Sequence, residues 1–369
     1  MALAAINAGK RFPPGSEFRN LDVLRAVAVL CVFGSHLILT LIKFGSLTVP
    51  NKELWVSLFY ILAHLGVLYF FVHTALVLML SLERTKPVGI IVNFYIRRIF
   101  RIYPLSILCI VAVLLFRVPP TPDTIYTSWN GGEIFANVLL VQNIFRKPDM
   151  ITPFWTLPRE LQMYLVLPFI YLVLKRFPSS VVVLVLWSAF FAAVPSAPLL
   201  SCFPCFMAGV LAYQLGKERV FSLPSVLWPF TIFAVTALGF VLTLTVFPDY
   251  RADYVACMLL GLAIPNVLEL RESWITSASQ SVAKYSYGIY LCHDPVIWFA
   301  FVRLKSFPAP LQWAALVLLM ILVPVLAYRL LEAPLIETGR RVAATWSAAS
   351  VRRREARKDA FVESAQLAD

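Results

Sequence analysis

Apolar runs of about twenty residues, the length a helix needs to cross a hydrocarbon layer ~30 Å thick, recur from Leu21 to Leu331. No interval between them could hold a large water-soluble core. The chain has 369 residues, 60% of them hydrophobic and 14% charged, a composition outside the soluble range. Its 25 prolines and its lack of long period-2 alternation point to interrupted membrane helices and away from an outer-membrane barrel. The expected fold is therefore all-α and polytopic, with about ten transmembrane helices, at 22–42, 55–81, 103–117, 154–175, 180–195, 199–214, 227–247, 253–268, 285–304 and 311–331. The first of these follows a basic segment, 1–21, and has no small-residue cleavage pattern after it, so it reads as a retained helix. Residues 22–335 form the membrane domain, and 336–369 form a mixed-charge, basic tail expected as a surface helix or disorder.

The formal charge of +12 does not gather on one soluble unit, which argues against nucleic acid as a partner. It follows topology instead. If the N-terminus is cytoplasmic, the inner loops and tail carry Lys10, Arg11, Arg19, Arg84, Lys86, Arg97, Arg98, Arg101, Lys175, Arg176, Lys217, Arg219, Arg271, Lys284, Arg340, Arg341, Arg352, Arg353, Arg354, Arg357 and Lys358. The outer loops carry fewer basic residues, among them Lys43, Lys52, Arg117, Arg146 and Lys147. The excess of Lys and Arg on one side places both termini inside. The six cysteines lie in or beside apolar segments, so no secreted disulfide framework is visible. Cys202 and Cys205 form a CxxC without a second pair or a histidine cluster. The longest connection, 118–153, reads equally as a loop that covers a site or dips into the membrane and as a plain solvent loop.

An ionisable group inside a membrane helix costs about 2.5–3.5 kcal/mol on translocon scales, so each one needs a reason. Arg25, His36, His64, His73, Arg159, Glu160, His293 and Asp294 lie in or near apolar spans, and Arg97, Arg98 and Arg101 enter the third. Arg25 and His36 share one helical face, because eleven residues bring the helix about 20° past three full turns; along the axis they are about 16 Å apart. By the same counting His36 lies about 21 Å above the inner start of its helix and Glu160 about 9 Å below the outer start of its own, which puts both at one depth in a ~30 Å core. A carboxylate there would orient the imidazole and fix its tautomer, as a general base requires. Arg98 and Arg101 share a face at i, i+3, and arginine forks suit phosphate oxygens. His64 and His73 are half a turn apart and cannot both face one site. HExxH, Walker A, GxSxG and clustered metal-ligand patterns are missing from the sequence, so no metal and no permanently bound cofactor is expected.

With those residues in view, the chain resembles the bacterial membrane acyltransferase-3 family, whose members O-acylate glycans and some small hydroxylated compounds. FRNLDVLRAVAVLCVFGSHL is similar to the family's opening pattern and places Arg25 and His36 on its arginine, ten-residue gap and histidine. RRIFRIYPL matches an RxxR element at Arg98 and Arg101. FWTLPRELQMYLVLP, which contains Trp155, puts Glu160 on the acidic position, and YSYGIYLCHDPVI carries the family histidine at His293. LLEAPLI resembles a terminal E-x-P element containing Glu332. The resemblance covers roughly 18–335. Pro158 and Arg159 depart from the small or apolar residues usual before the acid, and Asp294 replaces a common aromatic. The sequence shows no hydrolase-like C-terminal extension of the kind some members carry, so transfer without that second domain is expected.

What the resemblance implies is an O-acyltransferase of the bacterial inner membrane that moves an acyl group, acetyl by expectation, from acyl-CoA to a hydroxyl of a carbohydrate or glycolipid. His36 would be the general base and Glu160 its carboxylate partner, with Arg25 guiding the donor's approach. Arg97, Arg98 and Arg101 would hold the coenzyme's phosphates, and His293 and Trp155 would lie on the substrate. Embedded His, Arg and Glu also build ion pathways, so a proton-coupled transporter is the rival reading.

Overall fold

In a bilayer every backbone N–H and C=O must find a partner within the protein, which leaves helices as the solution for a chain with these runs. The computed structural model describes residues 18–85, 89–122, 124–126, 128–194, 198–218, 221–247 and 250–366. The segment 1–17, with Lys10 and Arg11, and positions 86 and 219 lie outside the described residues. In chain order the helices are α1 (Arg19–Lys43), α2 (Lys52–Arg84), α3 (Ile90–Phe116), a short α4 (Gly131–Val138), α5 (Leu157–Arg176), α6 (Ser180–Ala193), α7 (Phe203–Glu218), α8 (Leu227–Thr245), α9 (Tyr250–Ala263), α10 (Trp274–Trp298), α11 (Ala309–Ala327) and α12 (Ala333–Gln366). Strands are absent among the described residues. The fold is all-α.

Each of the ten expected spans falls on a helix. Among the described residues six stretches are both long and apolar enough to cross a membrane: α1, α2, α3, Thr152–Arg176, α8 and the run that begins at Ala309. α6, α7 and α9 are shorter, at 14, 16 and 14 residues. α10 has the length but spreads Ser, Lys, Tyr, His and Asp along it. α3 begins at Ile90, well before the expected 103, so Arg97, Arg98 and Arg101 stand inside the helix and not at its mouth. A polar cavity beside α3, described below, is what admits Arg98 and Arg101 there.

Local chemistry explains the helix starts. Asn51 accepts from the Leu54 N–H at the head of α2, and Ser273 with Thr276 forms a capping box at α10. α2 is the central helix, packed on α1, α5, α7, α8 and α9. Close approach demands small residues at the crossings: a Cβ on Gly209 of α7 would stand 2.1 Å from the Val72 carbonyl oxygen of α2, a separation that only glycine permits. On the outside, α8 and α11 present Phe233 (74% exposed) and Ile321 (63% exposed), a surface suited to lipid and not to water.

Two polar devices fix the ends of the bundle. Buried Asn20 donates to the Leu268 carbonyl and accepts from the Leu270 N–H, both at 3.0 Å, and its own carbonyl accepts from Trp228. The second half of the long connection is held by hydrogen bonds to itself and to the turn that follows it. The connection contains α4, whose Asn137 donates to the Pro148 carbonyl at 2.9 Å and accepts from the Met150 N–H, while Gln142 donates to Asp149 and to the Phe154 carbonyl. Met150 and Ile151, at its end, and Phe154, just after it, are fully buried. The tail expected as a surface helix or disorder is helical as far as Gln366, continuing from α11 through a π-helical turn at Tyr328–Glu332 into α12.

Candidate active site

Arg25 of α1 opens into a cavity of about 530 Å³ shared with His73 and Thr74 of α2, Arg98 and Arg101 of α3, Glu160 and Tyr164 of α5, and Lys284 and Tyr287 of α10. A smaller space of about 60 Å³ adjoins it and runs along Arg25, Glu160 and Tyr287 to Thr156 and Tyr290. The Nε atoms of Arg25 and Arg98 are buried there without a hydrogen-bond partner among the described residues. Burying a guanidinium donor without an acceptor costs free energy. Arg101 differs. Its Nη1 lies 3.2 Å from the buried Glu332 carboxylate, so part of its fork is occupied. Arg97, about 100° around the helix from Arg98, does not line this cavity.

His36 sits farther along α1 and faces a different space, a cavity of about 100 Å³ lined also by Thr40, Lys43, Tyr60, Thr152 and Asp294. Its Nδ1 lies 3.1 Å from Asp294 Oδ1 and 2.9 Å from His293 Nε2. His293 is fully buried, and its Nδ1 is 2.7 Å from the Tyr290 carbonyl oxygen. A carbonyl only accepts, so Nδ1 of His293 carries the proton and, in the neutral ring, Nε2 presents a lone pair. Two acceptors then converge on His36 Nδ1, which makes it N–H and leaves the lone pair on Nε2. Tyr290 lines the narrow space and stands between it and this trio, its hydroxyl on Thr156 (3.0 Å) and the Pro153 carbonyl (3.2 Å) and its main-chain carbonyl on His293.

The geometry revises three expectations. The carboxylate against His36 is Asp294, not Glu160. Residues 152–156 form a buried 3-10 turn that sets the start of α5 deep in the protein, so Glu160 descends past His36 to the arginine cavity and accepts from Tyr164. Trp155 does not line the polar cavities: its indole is stacked on His64 at 5.8 Å, lies under the Arg159 guanidinium and meets Phe71 edge-on. The sequence shows no cluster of metal-ligand types, yet α1 and α10 cross so that His36, His293 and Asp294 bring one ligand atom each within 4.8 Å of one another. Positions 36 and 293–294 are too far apart in the chain for spacing to reveal this. His73 lines the arginine cavity while His64 turns away to Asp253 at 3.0 Å, as their half-turn offset requires. All six cysteines are free, with Cys202 and Cys205 buried at the head of α7.

The all-helical bundle thus carries an arginine cluster at one level and a braced imidazole at another. Comparison specifies the class: the sequence profile of a family described as an acyltransferase domain matches residues 18–329. The chain belongs to the acyltransferase-3 family and is an acyltransferase. It is similar to acyltransferase MdmB of Streptomyces mycarofaciens, 25% identical over 316 residues, which cover 75% of this chain and 78% of that protein. No solved structure matches it significantly.

Proposed function

We propose that the protein transfers an acyl group, acetyl in the simplest case, from acyl-CoA to a hydroxyl group of a carbohydrate or glycolipid in the bacterial inner membrane. One observation carries the reading: His36 stands on a cavity with one ring nitrogen braced by Asp294 and His293 and the other free to take a proton. The positive charge on the loops at the Arg25 end supports a cytoplasmic position for that end, on the side where acyl-CoA is made. The coenzyme's phosphates meet Arg25 and Arg98, and its thioester arm runs along the narrow space towards Tyr290. The acceptor enters from the Lys43 end, whose Thr40, Tyr60 and Thr152 hydroxyls suit a polyhydroxylated compound. His36 Nε2 removes the acceptor proton, the alkoxide adds to the thioester carbonyl, and the coenzyme leaves as its thiol.

In this scheme Asp294 takes the part first assigned to Glu160. It holds the His36 Nδ1–H and offsets the positive charge that the ring acquires. Glu160 balances the arginine cluster, and His293 sets the tautomer without touching substrate. Arg101 divides its fork between the cavity and Glu332.

Coenzyme A titrated calorimetrically into the purified protein tests the donor side. Arg98→Ala removes a charge-assisted contact of about 1.5–3 kcal/mol, so its Kd should rise by roughly 10–150-fold. Equal affinity in a folded Arg98→Ala protein would remove the phosphate role. The trio offers a second test. Since His36 Nδ1 is engaged as a proton donor, dialysis against a chelator should leave transfer unchanged. Loss of activity restored by zinc would show that the three side chains hold an ion instead.

A further inference from the structure

The arginine cavity has a wall that the family profile does not reach. Ile336, Glu337 and Arg340 of α12 line it together with Arg25 and Arg98, although the profile ends at residue 329. α12 is held there. Glu332, 2% exposed, clamps the turn before it to Arg101. Along α3, Gly339 lies so close that a Cβ would stand 2.7 Å from that of Phe100, and Trp346 occupies the space where Gly89 would carry one. Asn93 of α3 donates to Ser347. Arg340 therefore has a set position at the cavity mouth, on a helix packed along α3.

Across that mouth, on α10, stands Lys284, its ammonium 5.2 Å from the centre of the Tyr328 ring. The cavity thus has two tiers of cations. The inner tier is Arg25 and Arg98, half-buried, each with a buried Nε that has no partner among the described residues. The outer tier is Lys284 and Arg340, the latter 65% exposed at the side chain and bonded to Glu337 at 3.3 Å. Opposing these cations the cavity carries the carboxylates of Glu160 and Glu337, so even with Arg101 committed to Glu332 the balance is positive.

Resting on the donor reading above, we infer that Arg340 and Lys284 form a second phosphate subsite, which takes the phosphate on the ribose 3′-oxygen of coenzyme A while Arg25 and Arg98 take the diphosphate. The order of groups in the ligand requires this assignment. From the thioester outward come the pantetheine arm, the diphosphate, and then the ribose with its phosphate; from His36 outward come the narrow space at Tyr290, the deep arginines, and then the mouth. The mouth pair is a specificity determinant that distinguishes coenzyme A from its 3′-dephospho form.

The test is a ligand-by-mutation cycle with the full-length protein in detergent, measuring Kd for coenzyme A and for 3′-dephospho-coenzyme A. Wild type should prefer coenzyme A by about tenfold or more, the effect of one charge-assisted contact at a partly solvated site. Arg340→Gln and Lys284→Met should each lower coenzyme A affinity towards that of the dephospho form and leave the latter's affinity unchanged. Equal weakening of both ligands, or of neither, would overturn the subsite while leaving the deep arginine site in place. Binding of neither ligand by wild type would defeat the donor reading and with it this inference. Arg340→Lys, which keeps the charge, should retain most of the preference; a Lys variant as indifferent as Gln would also count against it.

Discussion

His36→Ala should lower kcat for acyl transfer by about 10²–10⁴-fold, the usual contribution of a positioned general base, with coenzyme A affinity unchanged. The separation of effects follows from the layout. His36 lines the cavity of Thr40, Lys43 and Thr152, and the donor's phosphates are assigned to the cavity of Arg25 and Arg98, on the other side of the Tyr290–Thr156 contact. Removing the imidazole leaves that contact and the arginine cluster intact. Calorimetric binding beside a steady-state transfer assay measures both quantities. A variant that turns over like wild type would show that another group removes the proton, and one that also loses coenzyme A binding would show that the two cavities are not separate.

Asp294→Asn should have the next largest effect. The amide keeps the size of the carboxylate and can still accept from His36 Nδ1 at the 3.1 Å position, but it brings no charge to balance the imidazolium formed when the proton is taken. A hydrogen bond to a charged partner contributes about 1.5–3 kcal/mol, so kcat should fall by roughly 10–150-fold. A purely structural fault would slow every acceptor alike. The electrostatic role predicts a graded result, since an acceptor with a more acidic hydroxyl asks less of its base and should recover part of the loss. Equal losses across acceptors of different acidity would reject the role, as would an Asp294→Asn enzyme with unaltered kcat.

The contrast between Glu160 and Asp294 shows what the residues alone could and could not convey. Both are acids in apolar helices, and such a group must have a partner. Depth along an ideal helix paired Glu160 with His36 because it took α5 to begin at the outer surface. The buried turn at 152–156 moves that start inward, and nothing in five residues of local sequence reports the displacement. Asp294 stands beside the family histidine as a departure from an aromatic, and that departure was the available signal: a charge in place of an apolar ring answers another polar group nearby. Which group it answers depends on the crossing of α1 and α10. By contrast, the divergence of His64 and His73 follows from helical periodicity alone, so it was legible, whereas Arg25 and His36, on one face by the same count, open onto different cavities, and Arg97, grouped in the sequence with Arg98 and Arg101, does not join them. The role of α12 was not legible. Its polarity separates it from the membrane runs, and its position depends on Gly339 meeting Phe100 and Glu332 meeting Arg101, contacts between distant parts of the chain.

The most direct measurement of the central claim uses the protein in proteoliposomes, with acyl-labelled coenzyme A supplied on the Arg25 side and a carbohydrate acceptor on the Lys43 side. The account predicts that label moves onto an acceptor hydroxyl, with one free coenzyme thiol released per acyl group transferred, and that neither substrate alone supports the reaction. An intact thioester while the acceptor crosses the bilayer unmodified would contradict it.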